Sequence, residues 1–146
     1  MGNLRRSRGY GFEAWLVKKF NELPNWSARR LGGASTGLPD VVAVNNSESI
    51  LLAIEAKSLR GKSVDIPVDE IERCHIICEM FKLYENRLVV VATRLGDNKK
   101  PIYSYFSISY RPNIRSVTGY IGALRIRYER YQYLETIQTQ MPWQKD

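Results

Sequence analysis

Gly37-Leu38-Pro39-Asp40 leads into Val41-Val42-Ala43-Val44, and after Asn45-Asn46-Ser47-Glu48-Ser49 the chain continues Ile50-Leu51-Leu52-Ala53-Ile54-Glu55-Ala56-Lys57. Both apolar runs are rich in strand formers, and the five polar residues between them are turn chemistry, so the stretch reads as a β-hairpin. A turn symmetric about Ser47 and Glu48 sets Asp40 opposite Glu55. The period of two then puts Glu55 and Lys57 on one face. Cross-strand partners have Cβ atoms roughly 5 Å apart, where like charges repel. Two carboxylates so placed need a cation, a shared proton or solvent. A hard divalent metal such as Mg²⁺ suits oxygen donors and keeps waters for chemistry. Lys57 is a point charge placed to meet a phosphate or to help activate a water. Taken singly, an Asp opening a strand is ordinarily a turn residue, and Glu-x-Lys on a strand is ordinarily a solvated face. The flank argues otherwise: Leu51 to Ile54 is apolar without a break, as in a strand buried on both sides. Charges at the end of such a strand are costly unless paired or ligated.

The 146 residues suffice for one domain with a real core. They carry a net charge of +7, of which +5 lies in residues 1–62, the half that holds the hairpin. That excess permits nucleic-acid binding without requiring it. No signal segment or membrane-spanning run is read, so the chain is expected to be cytoplasmic, with no membrane partner. Cys74 and Cys78 are then thiols on one helix face, because a lone histidine, His75, leaves a zinc site short of ligands.

Outward from the hairpin, residues 1–11 read as a mobile basic arm carrying Arg5, Arg6 and Arg8. A first helix is expected over residues 12–23, with Leu16, Val17, Phe20 and Leu23 as its apolar stripe, joined by Phe12 and Trp15. Glu13 lies on or beside that stripe. It either caps an amide at the helix start or reaches toward the hairpin carboxylates. Trp26 to Leu31 reads as a short strand bearing Arg29 and Arg30. Gly32-Gly33-Ala34-Ser35-Thr36-Gly37 is a pliable loop that lacks the Lys-Ser/Thr of a nucleotide P-loop, and Ser35 is its most plausible phosphate contact. After Lys57, the segment Ser58 to Ser63 adds Arg60 and Lys62. A second helix is expected from Pro67 to Tyr84, with Asp69, Glu70 and Glu72 suiting its dipole. Strands follow at Leu88–Thr93 and Ile102–Ser109. In the C-terminal extension, residues 111–146, a strand is expected within Tyr120–Tyr128 and a helix over Glu129–Met141.

The order of these pieces resembles the PD-(D/E)xK nuclease fold, and within it the archaeal Holliday junction resolvase family, from about Arg8 to about Thr93. Gly9-Tyr10-Gly11-Phe12-Glu13 resembles the family's first helix with its glutamate, and Ser35 falls where the family carries a serine. Leu38-Pro39-Asp40-Val41-Val42-Ala43 and Ile54-Glu55-Ala56-Lys57-Ser58 resemble the core motifs. The family often places a glutamine near the start of the second helix; here Val68-Asp69-Glu70-Ile71-Glu72-Arg73 has none.

The resemblance implies an α/β fold, a mixed central β-sheet flanked by helices with a restriction-endonuclease-like core. It implies Mg²⁺-dependent hydrolysis of phosphodiesters in four-way junctions by a homodimer, with Mn²⁺ as a plausible substitute. Asp40 and Glu55 would bind the metal, Glu13 would assist, Lys57 would stabilise developing charge and Ser35 would touch the scissile phosphate. Arg5, Arg6, Arg8, Arg29, Arg30, Arg60 and Lys62 would engage flanking phosphates of the branched DNA. Two other readings share the fold: an endonuclease for linear, flap or damaged DNA, and a non-catalytic DNA-binding module.

Overall fold

The computed structural model describes residues 4–32, 36–61, 64–97, 99–111, 118–121, 124–127 and 133–144. Helix α1 (Leu4–Asn21) precedes strands β1 (Trp26–Arg30), β2 (Val41–Asn45) and β3 (Ile50–Leu59). Helix α2 (Val68–Met80) then leads to β4 (Asn86–Leu95), β5 (Ile102–Arg111), a β6–β7 ribbon (Thr118–Ile121, Leu124–Arg127) and β8 (Tyr133–Gln138). The main sheet has six strands in the order β1-β2-β3-β4-β5-β8, with β6 and β7 forming a separate pair. Only β3 and β4 run parallel; the other neighbours in the main sheet are antiparallel. A parallel pair needs a crossover, and α2 supplies it. The expected α/β fold with a mixed sheet between helices is thus the one observed.

The alternation of β3 decides what each helix covers. Leu51 and Ala53 join Ile71, Cys74, Ile77 and Phe106 in the core beneath α2. Leu52, Ile54 and Ala56 join Phe12, Leu16, Phe20 and Tyr105 beneath α1. The central strand therefore carries no polar residue before Glu55, as its sequence requires. The hairpin turn matches its reading: Asn45 pairs with Ile50, and Asn45 Oδ1 accepts the Glu48 amide at 3.0 Å. Ser49 closes the turn at φ 58°, a left-handed backbone.

Three boundaries depart from expectation, the smallest being the end of α2 at Met80 and not Tyr84. α1 begins at Leu4, so Leu4–Gly11 belong to the helix and not to a mobile arm. Leucine and arginine favour helix, and the two glycines, at about 1 kcal/mol each, do not break it. Tyr133–Gln138 is a strand, not part of a helix over Glu129–Met141. Leu134, Ile137 and Met141 do repeat at helical spacing, but β5 would otherwise present an open edge, and β8 pairs along it from Phe106 to Arg111. The expected strand within Tyr120–Tyr128 appears as the ribbon.

The end of the chain returns to the α1 core. Trp143, in a 3-10 turn over Pro142–Gln144, packs edge-on against Phe20 at 4.8 Å and Tyr105 at 5.8 Å. Among the described residues no helix is long and apolar enough to cross a membrane.

Candidate active site

Asp40 stands immediately before β2, and the register that pairs Val41 with Ile54 continues to Asp40 opposite Glu55. Val42 and Val44 pack on the α2 side of the sheet, so Asp40 shares that face with Glu55 and Lys57. Asp40 Oδ2 accepts the Ala56 amide at 2.9 Å, which takes the place of a ladder bond and fixes the carboxylate. Gly37, at φ +72°, gives the approach to Pro39-Asp40 a backbone that L side chains rarely adopt. Glu55 is only 4% exposed, and its Oε2 has no hydrogen-bond partner. Burial, then the charges of Asp40 and Glu70, raise its pKa far above the usual carboxylate range. Burial also raises Asp40, against the pull of the Ala56 amide. Without an ion, both shifts favour the protonated carboxyl over two facing charges.

Lys57 lies across this pair. Its Nζ is 3.4 Å from Glu55 Oε1 and 2.6 Å from Glu70 Oε2. Burial alone would lower its pKa, but Glu55, Glu70 and Asp40 outweigh burial and raise it, so the ammonium stays charged. Glu13 comes from the other side of the sheet, on α1. Its carboxylate is half-buried and 3.5 Å from Arg30 Nε, an ion pair too long and bent to hydrogen-bond. Burial and the nearby Asp40 charge push its pKa up to about 7, against the attraction of Arg30 and Lys57. Glu13 is the tenth residue of α1, well past the helix start, so it does not cap it.

The predicted set thus assembles in part. Glu13, Asp40, Glu55 and Lys57 act on one another electrostatically. Arg29 and Arg60 are exposed, whereas Arg30 is half-buried and its guanidinium sits 3.8 Å from the Tyr10 ring, tied to α1 as well as to Glu13. Arg5, Arg6 and Arg8 fall in the first turns of α1, with their side chains outside the described set. Ser35 and Lys62 lie outside the described residues.

Two residues were missed. Glu70 reads as a helix-dipole charge, yet it reaches Lys57. Its phase is the clue: it precedes Cys74 by four residues and Ile77 by seven, both buried, so it starts the inward stripe of α2. Arg94 on β4 pairs with Ser58, donates from Nε to Ser58 Oγ at 3.0 Å and lies 5.3 Å from the Phe12 ring. It places a further basic side chain next to the segment that bears Lys57.

The donor set suits a hard cation. Among the described residues, the four carboxylates Glu13, Asp40, Glu55 and Glu70 are met by two cations, Lys57 and Arg30, and Glu13 Oε1 and Glu55 Oε2 are buried without hydrogen bonds. The formal deficit is that of a divalent ion, and every donor is carboxylate oxygen. No three Asp, Glu, His or Cys side chains among the described residues are yet drawn into a cage. Asp40 and Glu55, opposite one another across the hairpin, are the pair best placed to share an ion.

The comparisons with known proteins fit this geometry. A family profile described as archaeal Holliday junction resolvase matches residues 4–108. Among solved structures, the chain is similar to Hjc, a Holliday junction resolvase from the archaeal hyperthermophile Archaeoglobus fulgidus. The two are 26% identical with a TM-score of 0.51, over 68% of this chain and 76% of that one. No curated protein sequence matches.

Proposed function

The chain belongs to the archaeal Holliday junction resolvase family, and on that premise we propose that Asp40, Glu55, Lys57 and Glu13 are the machinery with which it cuts four-way junctions. Its activity is that of the family: it is a nuclease that resolves branched DNA and requires a divalent metal. The metal would be Mg²⁺, with Mn²⁺ able to replace it, and Asp40 and Glu55 would hold it with Glu13 assisting. When bound, the ion polarises the scissile phosphate and activates a water for attack.

The remaining steps belong to side chains. The Ala56 amide keeps Asp40 Oδ2 from turning away. Glu55, buried on the central strand, keeps an unpartnered carboxylate oxygen in the site. Lys57, held charged, faces the negative charge that grows on the phosphate oxygens. Arg30 holds Glu13 toward the hairpin. Arg29, Arg60, Lys62, Arg5, Arg6 and Arg8 attract flanking phosphates, which gives affinity without sequence preference. Ser35 contacts the scissile phosphate from the glycine-rich loop. Recognition of the junction rests on DNA shape rather than base identity.

Symmetric cutting of two strands calls for two sites, and a twofold homodimer supplies them. The second copy docks on the outer face of α2. Ile76 and Met80 are 58% and 68% exposed there, and Phe81, just past the helix, is 45% exposed and lines an apolar groove with Leu31, Leu38, Val42, Val44 and Tyr84. Phe81→Asp should convert a dimer to a monomer in sedimentation and abolish paired cuts.

The observation that carries the reading is the pinned Asp40 facing a buried Glu55 whose Oε2 has no partner, with Lys57 3.4 Å from its other oxygen. Its test is cleavage of a mobile four-way junction and of linear duplex of equal length, with and without Mg²⁺. Metal-dependent cutting of the junction alone supports it. Equal cutting of linear duplex favours the linear-DNA reading, and binding without cutting favours the non-catalytic one.

A further inference from the structure

Lys57 has two carboxylate neighbours, and the nearer is not the one on its own strand. Glu55 Oε1 is 3.4 Å from Nζ, beyond a good hydrogen bond, while Glu70 Oε2 is 2.6 Å away. The helix phase that buries Cys74 and Ile77 aims Glu70 at the sheet. Its side chain is 19% exposed, whereas Asp69, beside it, is 55% exposed and pairs with Arg73 on the helix surface. Asp69 therefore suffices for the helix dipole, and Glu70 is placed for something else.

A lysine with a single buried carboxylate beside it would close on that carboxylate. Here the partner would be Glu55, and the ammonium would occupy the oxygen that a divalent ion needs. Glu70 supplies a stronger competing attraction from the α2 side. We infer that Glu70 is a positioning residue of the nuclease site: it draws the Lys57 ammonium off Glu55 and holds it toward the approaching phosphate. The inference rests on the nuclease role of Lys57 given above. It adds a residue from the crossover helix to a site otherwise built from α1 and the hairpin. It also gives α2 two tasks, since its inner end orients Lys57 while its outer face docks the second copy.

The test is a double-mutant cycle read by two methods. The parent, Glu70→Ala, Glu70→Gln, Lys57→Ala and the Lys57→Ala/Glu70→Ala double variant are each bound to a junction, and single-turnover cleavage is started with Mg²⁺. Glu70→Ala should slow cleavage by about 10- to 100-fold, the range for loss of a group that orients a site residue. Glu70→Gln should recover part of the rate, because its amide oxygen still accepts from an ammonium. In the Lys57→Ala background, removing Glu70 should cost nothing more. In the metal-free protein, the ammonium ¹⁵N signal of Lys57 should be protected from exchange in the parent and shift in Glu70→Ala, where the ammonium closes on Glu55 instead.

A parental rate in Glu70→Ala would overturn the inference, as would an unchanged ammonium signal. So would a full additional loss in the Lys57→Ala background, which would make Glu70 act on its own. Parental cleavage by Lys57→Ala would instead overturn the nuclease role of Lys57 itself, so the two failures are distinct.

Discussion

Replacing Glu55 by glutamine should abolish cleavage and at the same time stabilise the metal-free protein. Glu55 is 4% exposed, and its pKa is raised by burial and then by Asp40 and Glu70. In the unfolded chain it ionises near its ordinary value of 4.5. At pH 7 the folded state must keep a proton that the unfolded state releases, which costs up to about 3 kcal/mol. Relaxation around the pair reduces this, so about 1–3 kcal/mol is the working figure. The sign follows: a carboxyl group raised by folding destabilises the native state progressively as pH climbs above 4.5. Glutamine needs no such proton. Thermal unfolding in EDTA at pH 7.5 should therefore show Glu55→Gln melting about 3–10 °C above the parent. The gap should close at pH 4, where both states of the parent are protonated. Adding Mg²⁺ should raise the melting temperature of the parent and leave that of the variant unchanged. A variant equally or less stable at pH 7.5 would refute the picture of a buried Glu55 that keeps its proton on folding.

Carbon-13 NMR of the metal-free protein should find the Glu13 carboxyl titrating near pH 7, and higher still in Arg30→Gln, because Arg30 lowers it. A value near 4.5 in the parent would place Glu13 outside the cluster. Trp143→Ala removes edge-on packing against Phe20 and Tyr105, and at half burial should cost about 2–3 kcal/mol, or roughly 5–10 °C in melting temperature. No change would mean that the end of the chain does not close the α1 core. Arg29→Ala and Arg60→Ala should each reduce the slope of log K against log salt for junction binding by about 0.9, equally for all sequences. A change that depended on sequence would argue for base contacts instead.

Much of the site is written into short-range sequence. The turn centred on Ser47 and Glu48 set the register that brings Asp40 opposite Glu55, since a symmetric hairpin admits one pairing and a one-residue slip would turn every side chain over. The unbroken apolar run before Glu55 announced a strand covered on both faces. Glu13 was legible as a carboxylate on a buried helical stripe, and the same reasoning applied to Glu70 would have found it. The acids crowded at the start of α2 hid it, because a helix dipole explains them all equally well. Residues 133–138 were misread because Leu134, Ile137 and Met141 satisfy a helical period, while the edge of β5 that recruits them is more than twenty residues away in sequence. Pairing over that distance leaves no local signature. The extent of α1 was hidden for a different reason: Gly9 and Gly11 look like breakers, but the helix around them continues.

The central claim is that Asp40 and Glu55 together hold the ion that cuts the junction. It is tested most directly by giving Asp40→Asn a mobile four-way junction in Mg²⁺, with cut positions mapped on all four strands beside the parent. The account predicts paired, symmetric cuts by the parent, and junction binding without cleavage by Asp40→Asn. Cleavage by Asp40→Asn at the parental rate would contradict it.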